Sequence, residues 1–505
     1  MRTFWTSPKA VAILGLGVVV AIGASSRYLA GQSPSTTRQS GYERILRWPL
    51  RASEQTYGTI DGDRVKGYVN QIAELTRRNR EPGSQYWGRI TGTPVDGKMR
   101  EWVMGELRRI GVQNVHEEPF ALQEPQYFPR SWEVTGTAGG RTVPLSSSFP
   151  WRGSPSTPNA GLDLEAVWVG LGTEADFAGR DVRGKAAVVY AQPLQSSHDD
   201  TADEFGSIAR ARQAGAAAIV MVLGIPGNFQ HVMYGGEGIP HFTLGLQDGM
   251  ALRELIEQGN ARVKLRLNAE FVPGMKSATV WGTLPGATDE VIMVAAHRDG
   301  FFEGAGDNAS GVAVMLSLAE HFAKVPQAQR RRTIRFMAAT GHHHIGPNDT
   351  VRVNDNRELM SRMVLAVNPE HTGWVETYTY GFSNRRANGS TPLRWYLRGS
   401  SKLREVMFGA FDTFGVKTLQ QPGPGGAGDI GRLNEVPVVS VIQSPIFFHS
   451  NFDTPDNVTT ANLEAVTRAF AKIIDEANRL EKRDLQGPLN EPLPEVNWDR
   501  RAPTQ

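Results

Sequence analysis

The chain has 505 residues, 40% of them hydrophobic and 21% charged, with a formal net charge of +2. That length and balance allow two or three domains with sizeable cores, and no basic patch interleaved with aromatics points to nucleic acid. Cysteine is absent, which excludes disulfides, thiolate metal ligands, a cysteine nucleophile and a lipid-modified cysteine.

Arg2 and Lys9 precede an apolar run from Val11 to Ala24, followed by Ser25 and Ser26. A basic start, an apolar core and small residues after it predict a secretory signal or an N-terminal anchor over residues 1–32. The run is shorter than the about 20 residues that a bilayer span needs. The protein is therefore expected to be exported, periplasmic or extracellular, with membrane anchorage through the N-terminus as an open possibility. A long exported chain without cysteine suits a bacterial envelope.

A polar helical region follows from about Asp61 to Asn79, then a turn-rich segment from Arg89 to Pro94. Met99, Val103, Leu107 and Ile110 have helical spacing, and Gly111 stops that helix. From about Gly161 to Phe271 short β-like runs (AVWVG, AAVVYA, AIVMVLG) alternate with turns, a helix at Ile208 to Ala214 and another at Leu252 to Gln258. This texture predicts a compact α/β insert. From Ser277 strands and helices alternate, the pattern of a parallel sheet with helices on both faces. Leu463 to Leu480 is a long amphipathic helix, and residues 483–505 read as a polar tail.

Four apolar runs in the second half end in possible metal ligands. Val291–Ala296 leads to His297. Thr333–Thr340 leads through Gly341 to His342, His343 and His344. Met363–Asn368 reaches Glu370, and Val436–Ile442 is followed a few residues on by His449. Ligands of open α/β sheets bind at the carboxyl ends of the strands, so the repetition predicts a site. Asp307, in GDNASG at the start of a helix over about 311–324, is either a further ligand or a helix cap. Asp299, two residues after His297, is placed to orient its imidazole. The loop PGPGGAGD (422–429) has no Walker spacing and reads as a pocket wall or a plain loop.

These residues resemble the co-catalytic zinc peptidases of the aminopeptidase Y and glutamate carboxypeptidase type, peptidase family twenty-eight. The match is carried by AAHRDGFFEGAGDNASGVAVMLSLAE, RTIRFMAATG, VNPEHTG and FFHSNFDTPDNV, and upstream by RITGTPVDGKMREWVMGELRRIGV. ADFAGRDVRGKAAVVYA, ARQAGAAAIVMV and EGIPHFTLG resemble that family's protease-associated insert. The resemblance implies a three-layer α/β sandwich on a mixed, mostly parallel sheet. Its first part would lie at 41–155, the protease-associated domain at 156–273 and the catalytic domain at 274–482. It further implies one or two Zn2+ ions, held by His297, Asp307 as bridge, His343, Glu370 and His449, and a peptide substrate.

One departure stands out. Where the family carries Glu-Glu, first as base and then as ligand, this chain has histidines. Alignment puts His342 at the base position and His343 at the ligand position. Neutral imidazole binds zinc, and a histidine can accept a proton at neutral pH. Only two carboxylates then face two dications, which weakens retention of both. Glu303, in the loop before Asp307, is a further carboxylate that could act as base. The leading expectation is an exported zinc exopeptidase with an altered site. The alternatives are a catalytically degraded binding protein on the same fold, or a single-zinc acyl transferase of the glutaminyl-cyclase type. Which end of a peptide is cut, and the oligomeric state, are not written in the sequence.

Overall fold

The computed structural model describes residues 47–194, 200–344, 349–380, 383–419, 428–443 and 447–486. The expected leader (1–32), most of the glycine-rich loop, and the tail beyond Gln486 lie outside the described residues. The chain divides into two units, Met1–Ile45 and Leu46–Gln505, and the second is described here.

Seven strands form the main sheet: β1 (Gln113–Ala121), β2 (Lys276–Leu284), β3 (Val291–His297), β4 (Thr333–Ala339), β5 (Met363–Glu370), β6 (Arg394–Arg398) and β7 (Val438–Ile442). Their order is β6-β7-β5-β3-β4-β2-β1. The four central strands β7, β5, β3 and β4 run parallel, and β6, β2 and β1 are antiparallel to their neighbours. This is the expected mixed α/β sheet. Every residue of β3 is buried, and the strand shows why. Ile292, Val294 and Ala296 enter one core while Val291, Met293 and Ala295 enter the other. A strand covered on both faces reads as an unbroken apolar run rather than an alternating one.

Five helices cover the larger core: α1 (Gly62–Arg78), α2 (Pro94–Ile110), α3 (Gly311–Ala323), α4 (Ser401–Phe414) and α5 (Thr460–Arg479). In α5, Leu463, Val466, Phe470, Ile473, Ile474 and Ala477 form one buried stripe. Each large aliphatic or aromatic member of that stripe contributes roughly 1.5–3 kcal/mol on leaving water. The helix α2 begins at Pro94, a few residues before the apolar spacing at Met99. Thr93 caps it by accepting from Asp96 N, and Pro94 occupies the first turn, where its missing N–H costs nothing. Gly111 ends it with φ 94°. The opposite face of the sheet is covered by shorter helices at Asp349–Val353, Arg357–Arg362 and Gly428–Arg432.

A second sheet of eight strands is built from residues between Arg141–Pro144 at one edge and Phe149–Pro150 at the other. Its core runs Gln126–Ala138, Arg262–Val272, Leu162–Trp168, Ala186–Ala191, Ala218–Leu223 and His241–Leu244, the last four mutually parallel. The insert expected at 156–273 lies within this sheet, but the sheet takes in residues from Gln126 onward. Gln126–Ala138 pairs along its whole length with Arg262–Val272, a pairing between segments far apart in sequence. Ile90, Phe301 and Phe302, from loops of the first sheet, pack into the core of the second. At the other end of the chain a short helix, Lys482–Gln486, occupies the start of the expected tail and buries Leu485.

Candidate metal centre at the strand ends

The loop after β3 carries the central residue, Asp307, and its shape is fixed from three sides. The fully buried Arg89 donates to the carbonyls of Arg298 (2.8 Å), Glu303 (2.6 Å) and Gly304 (2.9 Å). The Asp453 carboxylate accepts from Gly306 N (2.7 Å) and Asp307 N (3.0 Å). Burial pushes the Asp453 carboxyl up to about 7, against those two hydrogen bonds. Asn308 accepts from both Gly311 N and His371 N (3.0 Å each) and donates to His297 O (3.2 Å), so one amide ties together the ends of β3 and β5 and the start of α3. A Cβ on Gly306 would lie 1.9 Å from the buried Trp374 ring, so only glycine fits there.

Around Asp307 the structure gathers His297, His343, Glu370 and His449, the residues singled out as ligands from sequence. Asp307 Oδ1 lies 3.1 Å from His343 Nε2 and 3.6 Å from His297 Nε2, and its Oδ2 lies 3.2 Å from His449 Nε2. Glu370 Oε1 lies 3.8 Å from His297 Nε2. All five residues are buried. Asp307 is thus central to the group, as a bridging ligand would be.

The three successive histidines go to three places, because Gly341 turns the chain with φ 87°. His343 points to Asp307. His342 stacks on the His297 ring, with centroids 4.0 Å apart, and its Nδ1 meets Asp429 Oδ1 at 2.9 Å. His344 Nδ1 turns away to Gln126 Oε1 of the second sheet at 2.6 Å. Burial disfavours the charged form of His342, but Asp429, Glu370 and Asp299 outweigh it and raise this group well above the ordinary histidine value. Asp299 lies 3.5 Å from His297 Nδ1, and its other oxygen accepts from His343 N at 2.9 Å. Burial alone would raise Asp299; the hydrogen bond from His297 and the nearby imidazoles instead hold it well below the usual carboxylate range. Glu303 pairs with Arg77 at 2.8 Å, outside the cluster.

Three residues were not singled out from the sequence. His371 follows Glu370 directly and places its Nε2 3.0 Å from Asp307 Oδ1; its only signal was adjacency to a ligand in VNPEHTG. Asp429, at the end of the glycine-rich loop, orients His342. Tyr234, from the second sheet's portion of the chain, meets His343 Nδ1 through its hydroxyl at 2.9 Å. Nothing in the sequence near Tyr234 marks it.

The donor chemistry fits a divalent cation of the zinc type, which takes imidazole and carboxylate ligands. His297, His342, Glu370 and His371 form one convergent group, and His297, Asp307 and His343 another. Asp307 Oδ2, Glu370 Oε1 and His449 Nε2 are buried without a hydrogen-bond partner among the described residues. Buried polar atoms without a hydrogen-bond partner are costly, and a cation shared by the cluster would engage them. Asp299, Asp429 and Tyr234 each hold the Nδ1 side of an imidazole, leaving Nε2 to face the cluster, the arrangement that outer partners of metal-bound histidines adopt.

Residues 279–474 match peptidase family M28. The chain is 28% identical over 266 residues to aminopeptidase YwaD of Bacillus subtilis, covering 50% of this chain and 51% of that protein. It is 25% identical over 358 residues to probable leucine aminopeptidase 2 of Trichophyton verrucosum, covering 68% and 64%. The matches thus span between about half and just under two thirds of these relatives. Among solved structures, a peptidase M28 precursor from Shewanella amazonensis superposes with TM-score 0.69 at 19% identity, over 89% of this chain and 99% of that one. A zinc aminopeptidase from Bacillus subtilis superposes with TM-score 0.59 at 20% identity, over 85% and 99%. These likenesses establish the fold that the chain shares with both structures.

The Tyr234 contact yields a direct test. Tyr234→Phe leaves the ring packing but removes the partner of His343 Nδ1. Loss of such a partner lowers metal affinity about 10–100-fold. Competition for zinc against a chromogenic chelator measures this, and an affinity equal to the parent's would remove Tyr234 from the centre.

Proposed function

We propose that this chain is an exported zinc-dependent exopeptidase that releases single residues from peptide ends, acting as an aminopeptidase. One observation carries the reading: buried imidazoles and a second carboxylate surround Asp307 at the carboxyl ends of parallel strands, beside a cavity of a size to take a side chain. That cavity, about 370 Å³, is lined by Trp151, His231, Met233, Tyr234 and Phe448 together with Asp203, His342 and His449. The names of the M28 relatives support the aminopeptidase direction. The basic, then apolar, N-terminal run supports export to the periplasm or beyond. No helix among the described residues is long and apolar enough to cross a membrane. The second sheet is read as the protease-associated insert.

Zinc held by His297, Asp307, His343, Glu370 and His449 would supply Lewis-acid polarisation of a peptide carbonyl and a water of lowered pKa. The chain's own residues do the rest. His342 lines the cavity; a dication bound beside it would oppose the carboxylates that favour its protonated form, leaving Nε2 able to accept a proton, while Asp429 at its Nδ1 stabilises the imidazolium that forms. The aromatic and methionine wall takes an apolar side chain of the terminal residue. Burial lowers His231 to about 4, so it presents an uncharged ring to that cavity at neutral pH. Most of this wall comes from the second sheet's portion of the chain, which sets specificity in this reading. A degraded site would have lost its converging donors, whereas here each histidine of the cluster stands against Asp307 or has an identifiable partner at its second nitrogen.

The test is hydrolysis of aminoacyl p-nitroanilides with apolar side chains by zinc-loaded protein. Release of nitroaniline is expected, with a large loss in His342→Ala. Folded, zinc-replete protein that cleaves no peptide at either end across the neutral pH range would sink the enzymatic reading in favour of a binding role.

A further inference from the structure

We propose that His371 is a metal ligand, and that with it the centre divides into one pocket closed by four protein ligands and one left open toward the substrate cavity. The inference rests on the metal-centre part of the reading above and is independent of peptidase activity.

Four donor atoms meet beside β3 and β5. His371 Nε2 lies 3.0 Å from Asp307 Oδ1, 3.3 Å from His297 Nε2 and 3.7 Å from Glu370 Oε1. His297 Nε2 closes the remaining measured edges at 3.6 Å to Asp307 Oδ1 and 3.8 Å to Glu370 Oε1. Ligands about 2.0–2.2 Å from a tetrahedral zinc lie about 3.3–3.6 Å from one another. The observed edges bracket that range. Two imidazole nitrogens facing each other at 3.3 Å with two carboxylate oxygens alongside is the donor geometry of a cation cage.

His371 is held for this role by its backbone. Its φ is 50°, a left-handed conformation uncommon among non-glycine residues, though histidine tolerates it better than most. Its N–H is anchored on Asn308, the same amide that holds the end of β3 and the start of α3. The side chain is 1% exposed, so it has no part in lining the cavity.

The second pocket differs. Asp307, His343 and His449 supply three protein ligands, and His449 also lines the cavity. A shell of four protein ligands is the pattern of a structural site, and three with an open position the pattern of a catalytic one. The extra imidazole adds a donor atom, though no negative charge. Its added donor helps to retain the ion whose pocket contains Glu370, in a site where the family's second glutamate is replaced by His343.

The experiment compares the parent with His371→Asn and His449→Asn by zinc content after dialysis and by competition against chelators. Asparagine accepts the left-handed backbone at residue 371 but stops short of the cluster. The parent is expected to hold two zinc ions of unequal affinity. His371→Asn should weaken the tighter one by more than the about 100-fold that loss of an outer partner can cost, while His449→Asn should weaken the other. Unchanged tight binding in His371→Asn overturns the proposal. A parent that binds no zinc at all overturns the metal reading on which it rests, so the two failures are told apart by the parent alone. Should His371→Asn misfold by circular dichroism, cadmium-113 in the parent labelled with nitrogen-15 histidine decides the matter. A one-bond coupling from cadmium to His371 Nε2 is expected, and its absence overturns the assignment.

Discussion

Asp307→Asn is expected to give a folded protein that retains no zinc through dialysis. The substitution keeps shape and volume, so packing around the buried loop should survive. What changes is the charge at the point where four imidazoles meet: His343, His371 and His297 at one oxygen, His449 at the other. At an effective dielectric near 20, two unit charges about 4 Å apart interact by about 4 kcal/mol, and a dication doubles this before desolvation is subtracted. Even half of that remaining would be about a thousandfold in affinity, at about 1.4 kcal/mol per factor of ten. Asparagine also turns an N–H2 donor toward nitrogens that must present lone pairs. Zinc content by mass spectrometry checks the result, with thermal unfolding in chelator as the control for folding. Parent-like zinc in the variant would mean that the cluster is a hydrogen-bonded core and no metal centre.

How much of this was legible in the sequence follows from burial and locality. The central strands were readable as apolar runs because both of their faces are covered, and Val291–His297 is buried at every position. Since such strands end at the crevice, the residues immediately after them, His297, His343 and Glu370, could be picked without knowing the fold. Asp307 was ambiguous between cap and ligand because capping and metal binding use the same side chains. In the structure its backbone N–H is the group that is bound, by Asp453, while its carboxylate faces the imidazoles.

The missed residues share a different physics. Tyr234 reaches His343 across 109 positions of sequence, because the second sheet folds back over the strand ends. Asp429 reaches His342 from a loop whose glycines gave no chemical signal. There Gly428, at φ 58°, is required, since a Cβ would come within 2.1 Å of Glu370 Oε2. The second sheet shows the same effect. Only the end of Gln126–Ala138 pairs with its sequence neighbour Arg141–Pro144, and the partner along its whole length lies at Arg262–Val272. Contacts that close long loops are set by the finished fold and leave no local periodicity to read.

Arg298→Met should be among the most destabilising single changes in the chain, although Arg298 takes no part in the chemistry. Its side chain is fully buried directly after His297. The guanidinium meets Asp96 Oδ1 at 2.9 Å and donates to Ala278 O (2.7 Å), Ala338 O (2.8 Å) and Ser277 Oγ (3.2 Å), so it joins β2, β4 and the start of α2 beneath the metal centre. Asp96 is itself 1% exposed and also holds Gly92 N at 3.0 Å. Methionine fills much of the volume but strands that carboxylate without its cation. Removing one partner of a buried pair costs about 3–5 kcal/mol, a large fraction of the about 5–15 kcal/mol that keeps a domain folded. The loss comes mainly from the uncompensated Asp96 charge and the two bereft carbonyls. The double change Arg298→Met with Asp96→Asn should therefore be less damaging than the single one. Urea unfolding of parent, both single variants and the double variant supplies the cycle. A coupling near zero would show that the two side chains are stabilised independently by their backbone partners, and the strand end that presents His297 would then owe its position to the sheet alone.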